Sequence, residues 1–344
     1  MDFKLRQSKG ECKMRKLTLA CLMLLFVTGA SFAAYPEKNI NGYIMWGAGG
    51  ALDNVSRAIT PLPQEHLGKT IILQNRPGAT GAVATTFVAN QPADGYTLLY
   101  GAENPNLYKV TGISHIDYDD FEPVFLMMAN VGVVVVAKDS PYKSYEELIE
   151  AAKSGENITM GSTGPGGLPY VATTMIEKIH EISFNKIQFD GEGPCLTALL
   201  GGHIDAVPVG LLAAANFIHS GSVRGLAMIS SDRVPGLETV PAVNEIYEEY
   251  EPYLPWGAFF GVFVKKGTPE EAIKVLRDAF QKAYQDPRFD EFAKKMGGIK
   301  LGLTGEEAKK YIKQNQSVSA WLLYDAGGAK YSPAEFGIKR PAEN

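Results

Sequence analysis

The chain has 344 residues, of which 45% are hydrophobic and 21% charged, with a formal net charge of -5 and three cysteines. That length supports two lobes with substantial cores, and the acidic balance argues against binding to nucleic acid or to an anionic membrane surface. No low-complexity tract and no repeat of fixed period interrupts it.

From Met14, an alternative start to Met1, the sequence reads "MRKLTLACLMLLFVTGASFAAYPEK": Arg15 and Lys16, an uncharged apolar run from Leu17 to Val27, and small residues from Ser31 to Ala33. This is the pattern of a secretory signal covering 1–33. Its apolar run of about 11 residues is shorter than the roughly 20 needed to span a bilayer. Cys21 leaves a lipoprotein anchor as an alternative, but only Leu17 to Ala20 lie ahead of it as apolar residues. Cleavage after Ala33 removes six basic and two acidic side chains, shifting the formal charge to -9, and leaves Cys195 as the single cysteine. An exported chain of this kind has no intramolecular disulfide and depends on its core.

The mature part opens on "NGYIMWGAGGALDNVSRAI". A dinucleotide fingerprint needs a third glycine where Leu52 stands and an acid at the end of the next strand, but "TIILQN" ends in Asn75. A phosphate loop would need Lys followed by Ser or Thr. Next come a helix from about Asp53 to Leu67, the strand "KTIILQN", a helix over "GAVATTFVANQ" and the strand "YTLLYGA". This alternation predicts a parallel sheet with crossover helices. Ser144 with Glu147, Thr268 with Glu271 and Thr304 with Glu307 have the spacing of reciprocal helix caps, and Pro269 suits a first helical position. Ile273, Leu276, Phe280 and Ala283 recur at helical spacing up to Asp286 and Pro287.

Two later segments repeat the opening pattern. "NITMGSTGPGGLPYVATTMIEKI" runs through glycines into a helix from about Pro169, and "NKIQFDGEGPCLTALLGG" into a helix from Pro194 to Gly201. Strand-to-helix turns at 47–53, 161–168 and 190–194 can each accept an anion on free helix-start amides. Three facing one cleft would trap a carboxylate, and ligands of open α/β sheets bind beyond the carboxyl ends of strands. The alternative is that the glycines are ordinary turn residues.

Catalytic chemistry is harder to find. His66, His115, His180, His203 and His219 share no ligand spacing with each other or with Cys195. Ser162 is not in a G-x-S-x-G elbow, and Asp119 with Asp120 read as solvated or capping acids. No metal, cofactor or nucleophile with its base is expected.

Ten segments in register over most of the mature chain carry a resemblance: "WGAGGALD", "LQNRPGATG", "PADGYTLL", "YDDFEPV", "GSTGPGG", "FDGEGP" followed by "ALLGGHIDAV", "SGSVRGLAM", "ETVPAVNE", "GVFVKKGTP" and "GGAKYSPAEFGIKRP". The sequence resembles the substrate-binding proteins of tripartite tricarboxylate transporters, the Bug-type periplasmic receptors. The resemblance implies a type II-like periplasmic binding fold: two lobes, each a mostly parallel sheet flanked by helices, with a small carboxylate-bearing solute in the cleft between them. The lobes would be 34–133 with 257–344, and 134–256, crossing near "MMANVGVVVV" and "LPWGAFFGVFV". It also implies a periplasmic or extracytoplasmic monomer that serves membrane transporter subunits, with no nucleic-acid partner, no cofactor and no enzymatic activity. A solute-presenting partner of a sensor, or a nucleotide-dependent enzyme, are the alternatives.

Carried over by position, Trp46, Gly47, Ala48, Gly49, Gly50, Ala51 and Asp53 form the first ligand loop. Ser162, Thr163, Gly164, Pro165, Gly166 and Gly167 form the second, Asp190 and Gly191 belong to the third turn, and Asp205 starts a cleft-lining strand. The chain departs from the family at Asp190, where lysine is common, at Tyr170, where many members have histidine, and at Glu103 beside Asn104, where a small hydroxyl residue is usual. Two like charges about 4 Å apart repel by about 4 kcal/mol at an effective dielectric of 20. The expected ligand is therefore a singly charged or amino-acid-like carboxylate, with its donor end near Glu103 or Asp190.

Overall fold

Strand β1 (Ile40–Ile44) alternates inward and outward side chains, as period-2 patterning requires. The computed structural model describes residues 35–341 apart from Pro255, so the expected signal segment and the first two cysteines lie outside the described residues. After β1 come α1 (Ala51–Ile59), α2 (Pro61–Leu67), β2 (Ile71–Asn75), α3 (Ala82–Ala89) and β3 (Thr97–Ala102). β2 and β3 flank β1 and run parallel to it, the arrangement that strand-helix alternation predicts.

The long β4 (Phe121–Asn130) is followed after Val131 by β5 (Gly132–Ala137), which belongs to a second sheet. There α4 (Tyr145–Lys153), β6 (Thr159–Ser162), α5 (Leu168–His180), β7 (Asn185–Gln188), α6 (Glu192–Leu200), β8 (Ala206–Gly210), α7 (Leu211–His219) and β9 (Val223–Ile229) follow. The chain returns to the first sheet through β10 (Ala258–Lys265), then α8 (Glu270–Tyr284), α9 (Pro287–Met296), β11 (Ile299–Leu303) and α10 (Gly305–Asp325). Strand orders are β11-β4-β10-β3-β1-β2 and β7-β6-β8-β5-β9.

Both sheets are mixed, and in each most strands share one direction, as expected: β2, β1, β3 and β4 in the first and β7, β6, β8 and β9 in the second. β10 is antiparallel to both β3 and β4, and β5 is antiparallel to both β8 and β9. These are the two strands on which the chain arrives from the other sheet, and each runs against the strands it joins. The parallel trios β2-β1-β3 and β7-β6-β8 remain the sequence-legible part. β5 and β10 carry continuous buried runs, Val133–Val136 and Ala258–Val264, as strands covered on both faces do.

Helix α8 buries Ala272, Ile273, Leu276, Ala279, Phe280 and Ala283 on one face. Its start differs from expectation: Pro269 is the N-cap, and the Thr268 hydroxyl donates to the Lys265 carbonyl. Ser144 does cap α4, accepting from the Glu147 amide at 3.3 Å, whereas Thr304 makes no side-chain bond at the start of α10. No described helix is long and apolar enough to cross a membrane.

Candidate functional site

The carboxyl ends of β1, β3, β6 and β8 deliver their loops to one place. After β1, the turn Trp46–Gly50 is fixed by Asp53, whose carboxylate accepts from the Gly49 amide at 3.0 Å, from Arg57 Nε at 2.9 Å and from Asn75 Nδ2 at 2.9 Å. Burial alone would raise the Asp53 pKa, but the bonds from Arg57, Gly49 and Asn75 together hold it below the usual range. Gly49 has φ +78°, a left-handed angle that glycine adopts without strain. Asp53 thus shapes the loop through its own bonds.

A polar relay ties this loop to the second sheet. The Trp46 indole donates to Asn104 Oδ1 at 2.9 Å, and Asn104 Nδ2 donates to the Gly166 carbonyl at 2.7 Å. In the second loop Ser162 is fully buried and donates to the Thr163 carbonyl at 3.0 Å. Thr163 is 1% exposed, and its hydroxyl has no partner. A Cβ on Gly164 would lie 2.2 Å from Thr80 Oγ1, so the 78–81 turn and the second loop touch. Thr80 itself has φ 53°, an angle uncommon for a branched residue. Pro165 lies beside this contact, and Gly167 is the N-cap of α5.

The third turn closes the ring. The Asp190 carbonyl accepts the Gly47 amide at 3.0 Å. Gly191, at φ +138°, would set a Cβ 3.1 Å from Gly47 N, and a Cβ on Gly193 would lie 2.1 Å from the Ala48 carbonyl oxygen. Glu192 then bridges two helix starts: its carboxylate accepts the Ala51 amide of α1 at 3.1 Å and the Gly210 amide before α7 at 2.5 Å. Burial raises the Glu192 pKa against the pull of those two amides. The Asn130 amide nitrogen lies buried without a partner, while its Oδ1 accepts from Leu212.

These loops enclose a cavity of about 20 Å³, lined by Trp46, Gly50, Ala51, Glu103, Thr163 and Glu192 together with apolar Leu52, Ala102, Leu168, Pro169, Ala258 and Phe260. Glu103 is 3% exposed, and its Oε2 has no partner. Burial, with the nearby Glu192 charge adding to it, pushes the Glu103 pKa up to about 8. Cys195 is fully buried, and burial keeps its thiol protonated.

The structure brings the three glycine turns, Glu103 and Asn104 together, but not every expected residue. Asp205 is exposed at the opposite end of β8 from Gly210, where its carboxylate accepts the Thr159 amide at 2.7 Å, because the "GHID" acid precedes the strand instead of following it. The Asp190 side chain is exposed beside a separate cavity of about 530 Å³ that Trp46, Thr80 and Pro165 also line. Tyr170 directs its hydroxyl toward the Gly328 carbonyl at 3.5 Å. The amides of Gly47, Gly49 and Ala51, expected to stand free for an anion, are already bonded.

Sequence reasoning missed Glu192, Thr80 and Asn130. An acid in the first turn of a helix is so common that Glu192 gave no separate signal, although it lies within one of the glycine turns singled out.

Comparison with known proteins places this arrangement. The model of a family described as "Tripartite tricarboxylate transporter family receptor" matches residues 55–323. Protein BugT of Bordetella pertussis (strain Tohama I) is 28% identical over 328 residues, covering 91% of this chain and 99% of that protein. The UPF0065 protein in the tcbD-tcbE intergenic region of Pseudomonas sp. (strain P51) is 27% identical over 292 residues, covering 82% and 86%. The solved structure of periplasmic binding protein BugD matches with a TM-score of 0.81 at 28% identity, covering 86% of this chain and 99% of that one. The two mixed sheets and their flanking helices are thus a two-lobed periplasmic-binding-protein fold.

Proposed function

This chain belongs to the tripartite tricarboxylate transporter receptor family, and from that premise we propose that it is an extracytoplasmic receptor. In this reading it captures a small carboxylate-bearing or amino-acid-like solute between its lobes and delivers it to membrane transporter subunits. One observation carries the reading: loops from the two sheets meet over a cavity lined by Glu103 and Thr163, whose Oε2 and Oγ1 are buried without partners. A buried polar atom left unpaired costs about 1–3 kcal/mol, which a bound solute would relieve.

The cavity of about 20 Å³ has room for about one water molecule. The solute therefore enters with the lobes apart, and they rotate about the crossings at Val131 and Gly257. A carboxylate would meet Thr163 and the start of α5, and a donor end would meet Glu103. The Ser162 hydroxyl is engaged by a carbonyl and the Cys195 thiol is held protonated by burial, so neither of these two is poised as a nucleophile. The test is native mass spectrometry of the protein purified from an exporting host. A small organic solute in one-to-one ratio is expected, and a retained dinucleotide would overturn the reading in favour of an enzyme.

A further inference from the structure

We infer that Glu192 is a resident carboxylate filling the anion position between the starts of α1 and α7, so that the cleft selects a solute carrying a primary ammonium group, with a carboxylate dispensable. The inference rests on the receptor reading above and names the class of solute within it.

The first ground is occupancy. A free helix start draws a carboxylate because its amides lack partners and the macrodipole adds positive potential. Here the Ala51 and Gly210 amides both donate to Glu192, at 3.1 and 2.5 Å. Neither Gly50 nor Gly210, the two N-cap residues, has a side chain to do this, so a glutamate from a third segment supplies the anion. A solute carboxylate could take that position only by expelling Glu192. The start of α5 is a weaker substitute, because Pro169 at its second position has no N–H.

The second ground is what remains unpaired. Glu103 is 3% exposed and Thr163 1% exposed; both residues line the same cavity, and each has a buried side-chain oxygen without a partner. No Lys, Arg or His is among the residues lining it. A solute carboxylate brought between Glu103 and Glu192 would find no cation among the lining residues, and the Ala51 and Gly210 amides beside it are already bonded to Glu192. An ammonium group has three donors and no acceptor; it donates to Glu192 and, as its charge draws the proton off the buried Glu103 carboxyl, gives Glu103 Oε2 its missing bond. Charge-assisted bonds of this kind are the strong ones.

The test is calorimetry of the mature protein and of E192Q and E103Q with two sets of probes. One set carries an amine: alanine, 4-aminobutyrate and putrescine. The other carries carboxylates alone: butyrate, succinate and malate. Wild type is expected to bind members of the first set and none of the second, and each variant to lose at least tenfold in affinity for them. Glutamine keeps an acceptor oxygen for one of the two amides at position 192, and circular dichroism establishes that both variants remain folded. If Glu192 is instead a displaceable competitor, carboxylates bind wild type at least as tightly as amines do and E192Q binds them more tightly. That outcome overturns the inference and leaves the receptor reading standing. Binding by neither set overturns both.

Discussion

Glu103 shows how one side chain can make the fold sensitive to pH. Its pKa is pushed up to about 8 by burial, with Glu192 adding like charge from α6 and the Tyr108 and Tyr118 phenols close enough to feel it. The folded state therefore holds a proton that the unfolded chain releases near the ordinary carboxylate value of 4.5. Stability is full below that value and falls as pH rises toward about 8, by up to about 1.4 kcal/mol per pH unit for a single such group. Urea unfolding at pH 5 and pH 8 should show wild type losing stability across this window and E103Q losing much less; parallel curves would show that Glu103 does not carry the slope. The sequence revealed Glu103 as an unusual acid in a loop after a strand. It could not reveal burial, which depends on Glu192 and Thr163 arriving from the other sheet.

At the scale of the element, the glycine turns divide into those that need a backbone angle and those that need room. Gly49 and Gly166 have φ of +78° and +89°, so a valine at either strains the loop whatever binds there, and such variants do not isolate contact with a solute. Gly193 has no positive φ, yet a Cβ there would lie 2.1 Å from the Ala48 carbonyl oxygen. Gly193→Ala should hold the third turn away from the first and weaken solute binding at least tenfold, about 1.4 kcal/mol, while unfolding in urea stays near wild type. Unchanged affinity would show that these loops need not meet. Helix starts divide the same way. Ser144→Ala removes a cap bond that is made and should cost about 1 kcal/mol. Thr304→Ala removes none and should cost clearly less in the same denaturation assay. The hydroxyl-to-glutamate spacing located α4 and α10 correctly, but the bond itself depends on side-chain geometry that spacing does not specify.

For the whole molecule, strand and helix order was legible from hydrophobic period and turn residues, and the parallel trios β2-β1-β3 and β7-β6-β8 follow from the helices that separate their strands. The antiparallel insertions of β10 and β5 were not. A run such as "GVVVVA" states burial on both faces and says nothing of direction, which is set by where the chain comes from. The same limit applies to the site: each glycine turn was visible locally, whereas the Glu192 bridge between α1 and α7 needs both sheets in place. The central claim is that the lobes close on a small solute. Thermal unfolding of the mature protein against small acids, amino acids and amines measures this most directly. The account predicts that at least one of them, at a hundredfold excess over its dissociation constant, stabilises the protein by about 2.7 kcal/mol with one-site concentration dependence, whereas unfolding curves that none of these solutes displaces would contradict it.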